Sequence, residues 1–277
     1  MKAKQRKVRV GQVTFGNTLP FVLIAGPDSI ESEEHALFMA RSLKAITKKL
    51  GVPFVFKASY DKANRTSHTS FRGVGLKEGV RILKLIKEKV GVSVTTDIHS
   101  KEEAREMGVA VDLLQVPALL SRQTDLLLAA GEYGRAVNIK KGQFISPKDA
   151  LYPIEKVVSS KNTNILITER GHMFGYRDVV ADMRALFWMR EFGYPVIFDA
   201  AHTAQFPSSE KGKSGGEARL IPSLAFAAIA IGVSGIFIEV HNNPSEAPVD
   251  GDSSLPLKEL APLLRKLKAL DRIAKSS

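Results

Sequence analysis

The stretch from Pro195 to His241, PVIFDAAHTAQFPSSEKGKSGGEARLIPSLAFAAIAIGVSGIFIEVH, decides the fold. It opens on an apolar, β-branched run, PVIFDAAH, and closes on another, GIFIEVH. Between them lie a loop rich in Gly, Ser and Lys and a helical candidate over 219–231. A strand, a long loop, a helix and a second strand make the crossover that parallel strands require. The alternation extends outward in both directions. The remaining apolar runs are FVLIAG, PFVFKAS, VSVTTDIH, VDLLQVPA, RAVNIKK and NILITERG, and helical spacing follows every run. The helices are expected over 32–50, 76–90, 101–107, 122–133, 148–161, 177–192, 219–231 and 256–275. Eight such units predict an α/β chain closed into a (β/α)8 TIM barrel, a single domain over 1–277, with a doubly wound open sheet as the alternative. The N-terminal KVRVGQVTFGN, about residues 7–17, alternates like a short hairpin turning at Gly11-Gln12, placed to plug the barrel bottom.

Composition narrows the class of function. The 277 residues are 44% hydrophobic, enough for a large core. No apolar run approaches the roughly 20 residues that span a bilayer, and no hydrophobic signal region follows the basic start, so a cytoplasmic protein without a membrane role is expected. The absence of cysteine excludes disulfides, thiolate ligands and a thiol nucleophile. The net charge of +11 sits mainly at the ends: residues 1–10 carry +5 and residues 258–277 carry +4, leaving +2 for the rest. Solvated termini, with no aromatic residues among the cations, argue against a nucleic-acid partner.

In a barrel the chemistry sits where strands end. The eight exits present in turn Asp28, Lys57, Asp97 with His99, Gln115, Lys140, Arg170, His202, and Glu239 with His241. Turn chemistry does not explain the set, because Lys and Arg are not turn formers and are costly to bury unpaired. Taken singly, Asp28 or Ser29 could simply start the turn into the first helix. Lys57, Lys62, Arg65, Lys140 and Arg170 converge on one mouth, which suits a ligand with several negative charges; individually each could be a surface cation. Ser214-Gly215-Gly216, ahead of a helix, suits backbone capture of an anion at the helix N-terminus, or a flexible linker. Asp28, His202, Glu239 and Asp250 form either the shell of a divalent cation or a metal-free polar layer.

The motifs YDKANRTS with SFRGVG, LSRQTDLL, NIKKGQF, TERGHMFGY, SGG and APVDG resemble those of the 3-deoxy-D-manno-octulosonate 8-phosphate synthase family, and the likeness runs from about Phe21 to Leu267. The resemblance implies a barrel enzyme, usually a homotetramer, of lipopolysaccharide biosynthesis. Its members condense phosphoenolpyruvate with arabinose 5-phosphate and release phosphate. Carried onto matching positions, it puts phosphoenolpyruvate on Lys57, Lys62, Gln115, Lys140 and Arg170, and arabinose 5-phosphate on Asn64, Arg65 and Ser214. Lys62, His202 and Asp250 then stand near the chemistry. Metal-dependent members have Cys where this chain has Asp28, and metal-independent members have Asn, so the resemblance leaves two outcomes: no cofactor, or a cation of the Mn or Mg kind on Asp28, His202, Glu239 and Asp250. Alternatives are the related synthase that uses erythrose 4-phosphate, whose second-strand signature reads like KPRTSP, and a protein that binds anionic polymers through its basic ends.

Overall fold

The computed structural model describes residues 3–63, 71–173, 178–206 and 215–276. Eight parallel strands close on themselves: β1 Val22–Gly26, β2 Phe54–Lys57, β3 Ser93–Asp97, β4 Leu113–Val116, β5 Val137–Lys140, β6 Ile165–Glu169, β7 Val196–Asp199 and β8 Gly235–His241. Closure comes from β8, which pairs with β1 through Gly235↔Val22 to Glu239↔Gly26 and with β7 through Gly235↔Ile197. Every residue of every barrel strand is buried, as expected when one face looks into the barrel and the other is covered by helices.

The helices are α1 Glu33–Leu50, α2 Leu76–Val90, α3 Lys101–Gly108, α4 Thr124–Tyr133, α5 Leu151–Ser159, α6 Met183–Arg190, α7 Ile221–Ile231 and α8 Leu257–Ala274. Ser32, not Asp28 or Ser29, caps α1 by accepting from the His35 N–H, and Gly51 at φ 59° ends it. Asp28 is thereby left for another purpose. α6 starts later than its periodicity suggests, because the Asp182 side chain accepts from the Arg184 N–H and fixes the N-terminus there. The stretches ahead of α5 and α7 are short 3₁₀ turns, Lys148–Ala150 and Ala218–Leu220. Among the described residues no helix is long and apolar enough to cross a membrane.

Period-2 alternation along the strands organises the interior. Leu23, Ala25, Phe56, Ile167 and Phe198 face outward into the core beneath the helices. Val22, Ile24, Val55, Leu113, Leu166, Ile197 and Phe237 face inward at the barrel bottom. The hairpin of Val8–Val10 and Val13–Phe15, in register Val8↔Phe15, inserts Val8, Val10 and Phe15 into this inner cluster, so it is a plug. Two residues further along the same inward rows stand Lys57, Gln115, Thr168, Asp199 and Glu239. The interior therefore turns from apolar to polar within one pleat, and the change is what builds the site.

Candidate active site

Lys57 is 1% exposed and its ammonium bridges two strand exits. It donates to Glu239 Oε1 at 2.6 Å, to the Asp28 carbonyl at 3.0 Å and to Asp28 Oδ1 at 3.3 Å. Lys62 Nζ reaches the same Asp28 Oδ1 at 2.5 Å. Burial would raise the Asp28 pKa, but Lys62, Lys57 and His202 outweigh it and hold the carboxylate well below its usual range. Burial also pushes Glu239 up, to about 8, with Asp28 adding to it against the pull of Lys57. Two cations thus share Asp28 while Glu239 sits close to neutrality. The position of Lys57 depends on Gly26: a Cβ there would lie 1.8 Å from the Lys57 carbonyl oxygen.

On the opposite wall Lys140 Nζ lies 2.8 Å from Asp199 Oδ2 and 3.9 Å from the centroid of the Phe237 ring. His202 Nδ1 is 2.8 Å from the same Asp199 oxygen, and its backbone N–H donates to Asp199 Oδ1 at 2.9 Å. Lys140 Nζ lies 3.5 Å from the same Nδ1, and the other ring nitrogen, Nε2, is 4.0 Å from Glu239 Oε1. Burial lowers the imidazole to about 4, with Lys140 and Arg170 acting in the same direction and Asp199 opposing, so His202 is neutral at pH 7. Arg170, 6% exposed, donates to Gln205 Oε1 at 3.2 Å, and Gln205 donates to Asp250 Oδ2 at 2.5 Å. Arg170 Nη1 is buried without a hydrogen-bond partner among the described residues, so its donor capacity is unspent there.

The structure brings together most of the residues that the sequence nominates. Asp28, His202 and Asp250 each offer a ligand atom, all within 4.8 Å of one another, whereas Glu239 stands beside that trio and is engaged by Lys57. The set fits a divalent cation: a neutral imidazole, an ionised carboxylate, and buried Asp28 Oδ2 and Glu239 Oε2 that have no hydrogen-bond partner among the described residues. His99 and His241 are exits that do not join: His99 Nδ1 lies 3.0 Å from Glu103 and His241 Nε2 2.8 Å from Glu31. Asn64, Arg65 and Ser214 fall outside the described residues. Gly215 and Gly216 lie just before the 3₁₀ turn Ala218–Leu220, which runs straight into α7. They pair antiparallel with Phe206 and Gln205, and Gly216 packs so closely on Ser253 that a Cβ would lie 2.7 Å from its side chain. The glycines therefore serve the base of the loop after β7.

Sequence reasoning missed Asp199, Asn138 and Thr168. Asp199 was readable as a carboxylate three residues before His202, within a strand that is otherwise apolar. Asn138 and Thr168 carry only the weaker signal of polar residues at inward-facing positions of apolar strands.

Fold and site together define a (β/α)8 barrel enzyme that gathers cations around anionic ligands at its strand ends. The chain belongs to the DAHP synthetase I family, whose pattern matches residues 1–276. It is 50% identical over 270 residues to the 2-dehydro-3-deoxyphosphooctonate aldolase of Geobacter metallireducens, covering 98% of this chain and 99% of the relative. Proteins of the same name from Magnetococcus marinus and Granulibacter bethesdensis are 51% and 52% identical over 98% of this chain, covering 95% and 96% of those relatives.

Proposed function

We infer that the chain condenses phosphoenolpyruvate with D-arabinose 5-phosphate and water, giving 3-deoxy-D-manno-octulosonate 8-phosphate and inorganic phosphate for lipopolysaccharide sugar. The observation that carries this reading is the burial of Lys57, Lys140 and Arg170 beside Lys62 at one barrel mouth, in a chain half identical to aldolases of that product over nearly its whole length. Relatives of one name disfavour erythrose 4-phosphate as the sugar partner. A polymer-binding protein would have no use for buried cations.

Phosphoenolpyruvate is placed on Lys57, Lys62, Gln115, Lys140 and Arg170, and the sugar phosphate on Asn64, Arg65 and Ser214. The methylene carbon of phosphoenolpyruvate bonds to the sugar aldehyde, whose oxygen takes a proton. Water adds to the former enol carbon, and the hemiketal phosphate then breaks its carbon–oxygen bond to release phosphate. Lys57, Lys140 and Arg170 on phosphoenolpyruvate, with Arg65 on the sugar phosphate, hold together two anions that would otherwise repel, and stabilise charge as it moves. Lys62, the neutral His202 and Asp250 are the groups for the proton transfers. Asp28, His202, Glu239 and Asp250 would hold a divalent cation of the Mn or Mg kind, which when bound supplies Lewis-acid polarisation of an oxygen. The whole of residues 1–277 is one barrel domain, acting in the cytoplasm as a homotetramer.

Phosphate release from phosphoenolpyruvate, before and after chelator stripping and again with Mn²⁺ or Mg²⁺ added back, tests the reading. Arabinose 5-phosphate should exceed erythrose 4-phosphate by about 100-fold in kcat/KM, since unpaired polar groups penalise the shorter sugar. Activity should vanish on stripping and return with Mn²⁺ or Mg²⁺. Preference for erythrose 4-phosphate would overturn the substrate assignment, and undiminished activity of stripped protein would overturn the cation.

A further inference from the structure

Four consecutive strands are linked inside the barrel by one chain of side-chain hydrogen bonds. Thr168 Oγ1 on β6 donates to Asn138 Oδ1 at 2.8 Å, Asn138 Nδ2 on β5 donates to Gln115 Oε1 at 2.9 Å, and Gln115 Nε2 on β4 donates to Asp97 Oδ1 at 2.6 Å. Ser59 closes the far side by donating to Asp97 Oδ2. Thr168, Asn138 and Gln115 are each 0% exposed, so water cannot substitute for any of these partners.

The chain has a direction, and Asp97 sets it. Burial opposes ionisation of Asp97, but Lys57, Lys62 and Lys140, with the Gln115 bond, hold its carboxyl far below the usual range, so it only accepts. Gln115 must therefore turn its amide nitrogen to Asp97 and its oxygen to Asn138. Asn138 must answer with its own nitrogen, which leaves its oxygen for the Thr168 hydroxyl. Reversing any one amide would set two acceptors against each other in a dry interior. Gln115 consequently retains one amide N–H that this chain does not use.

The geometry points to Asn138, backed by Thr168, as a positioning residue that locks the Gln115 amide as a donor to the anionic substrate. The inference rests on the assignment of Gln115 to phosphoenolpyruvate. Neither Asn138 nor Thr168 touches substrate; both act through Gln115.

The test is calorimetric titration of phosphoenolpyruvate into Gln115→Ala, Asn138→Ala, Thr168→Val and the Gln115→Ala/Asn138→Ala double variant. KM for the sugar phosphate and thermal melting are measured alongside. Expected are losses of about tenfold in phosphoenolpyruvate affinity for Asn138→Ala and about threefold for the isosteric Thr168→Val, with the KM of the sugar phosphate changed by less than about twofold. Adding Asn138→Ala to Gln115→Ala should bring no further loss, because the two act as one unit. Wild-type affinity in Asn138→Ala and Thr168→Val, additive losses in the double variant, or equal losses for both substrates would overturn the inference. If Gln115→Ala itself binds phosphoenolpyruvate like the wild type, the assignment of Gln115 fails and the inference falls with it. If only Gln115→Ala is weakened, the inference alone fails. Should Asn138→Ala not fold, Thr168→Val still decides.

Discussion

Lys62 Nζ and Asp28 Oδ1 lie 2.5 Å apart, and Lys57 approaches the same oxygen at 3.3 Å, so one carboxylate holds two of the cations assigned to phosphoenolpyruvate. The pairing makes Asp28 a rival of the substrate. An incoming phosphate or carboxylate competes with Asp28 for Lys62, and a cation on Asp28 Oδ2 would compete with Lys62 for the charge of the same carboxylate. A buried pair of this kind need not add stability, since desolvation offsets much of the attraction. Its consequence is felt in ligand binding.

Asp28→Asn therefore separates the two partners of that carboxylate. The amide keeps the shape, removes the charge and cannot hold Lys62 as firmly. Phosphoenolpyruvate affinity of cation-free protein should rise by about fivefold, while Mn²⁺ affinity should fall by at least about tenfold, both read by calorimetry. Unchanged Mn²⁺ affinity would remove Asp28 from the cation shell.

Gly26 is required by contact, not by backbone conformation. Its Cβ would meet the Lys57 carbonyl oxygen at 1.8 Å and the Lys57 carbonyl carbon at 2.9 Å, and strand backbone at a barrel closure has little room to yield. Gly26→Ala should cost roughly 3 kcal/mol of stability by overpacking and displace Lys57. Loss of activity beyond what the fraction unfolded explains would confirm that β1 sets the position of Lys57; an alanine variant with wild-type KM for phosphoenolpyruvate would refute it.

The barrel was legible because its strands are continuous apolar runs and its exits are not. Lys57, Lys140, Arg170, His202 and Glu239 announce themselves as charged residues where hydrophobic runs stop. The partners that orient them were harder to read. Asp199 lies inside PVIFDAAH and pairs with Lys140 across the one intervening strand, β6, a relation set by barrel closure and inward pleat, which a linear pattern does not carry. Asn138 and Thr168 are ordinary polar residues until their neighbours on adjacent strands are known. The helix after β1 was legible over 32–50, but its cap was not: Asp28, Ser29 and Ser32 are all plausible caps, and tertiary pairing of Asp28 with two lysines leaves Ser32 the role.

The plug at the barrel bottom should be separable from chemistry at the top. Phe15 is fully buried among Val55, Leu113, Ile197 and Phe237, at the opposite end from the polar exits. Phe15→Ala should cost about 3 kcal/mol or more in urea denaturation, from lost transfer energy and a cavity. KM for phosphoenolpyruvate at temperatures where the variant is folded should stay within about twofold. A large rise in KM would mean that packing under Phe237 is transmitted to Lys140, whose ammonium rests on that ring.

His202 gives the site a characteristic acid sensitivity. Its folded pKa is about 4, against the ordinary 6.5, chiefly because burial disfavours the charged imidazole. A depressed pKa means that the unfolded chain takes up a proton that the folded chain refuses. The His202 contribution to stability is therefore present above pH 6.5 and is lost as the pH falls from 6.5 towards 4. Over that window the loss amounts to about 3 kcal/mol. His202→Gln, which has no proton to bind, should lose less stability between pH 7 and pH 4 than the wild type by about that amount, measured by urea denaturation of cation-stripped protein. Parallel pH profiles for the two proteins would place the charged imidazole in a folded site that accepts it, and Asp199 would then outweigh burial.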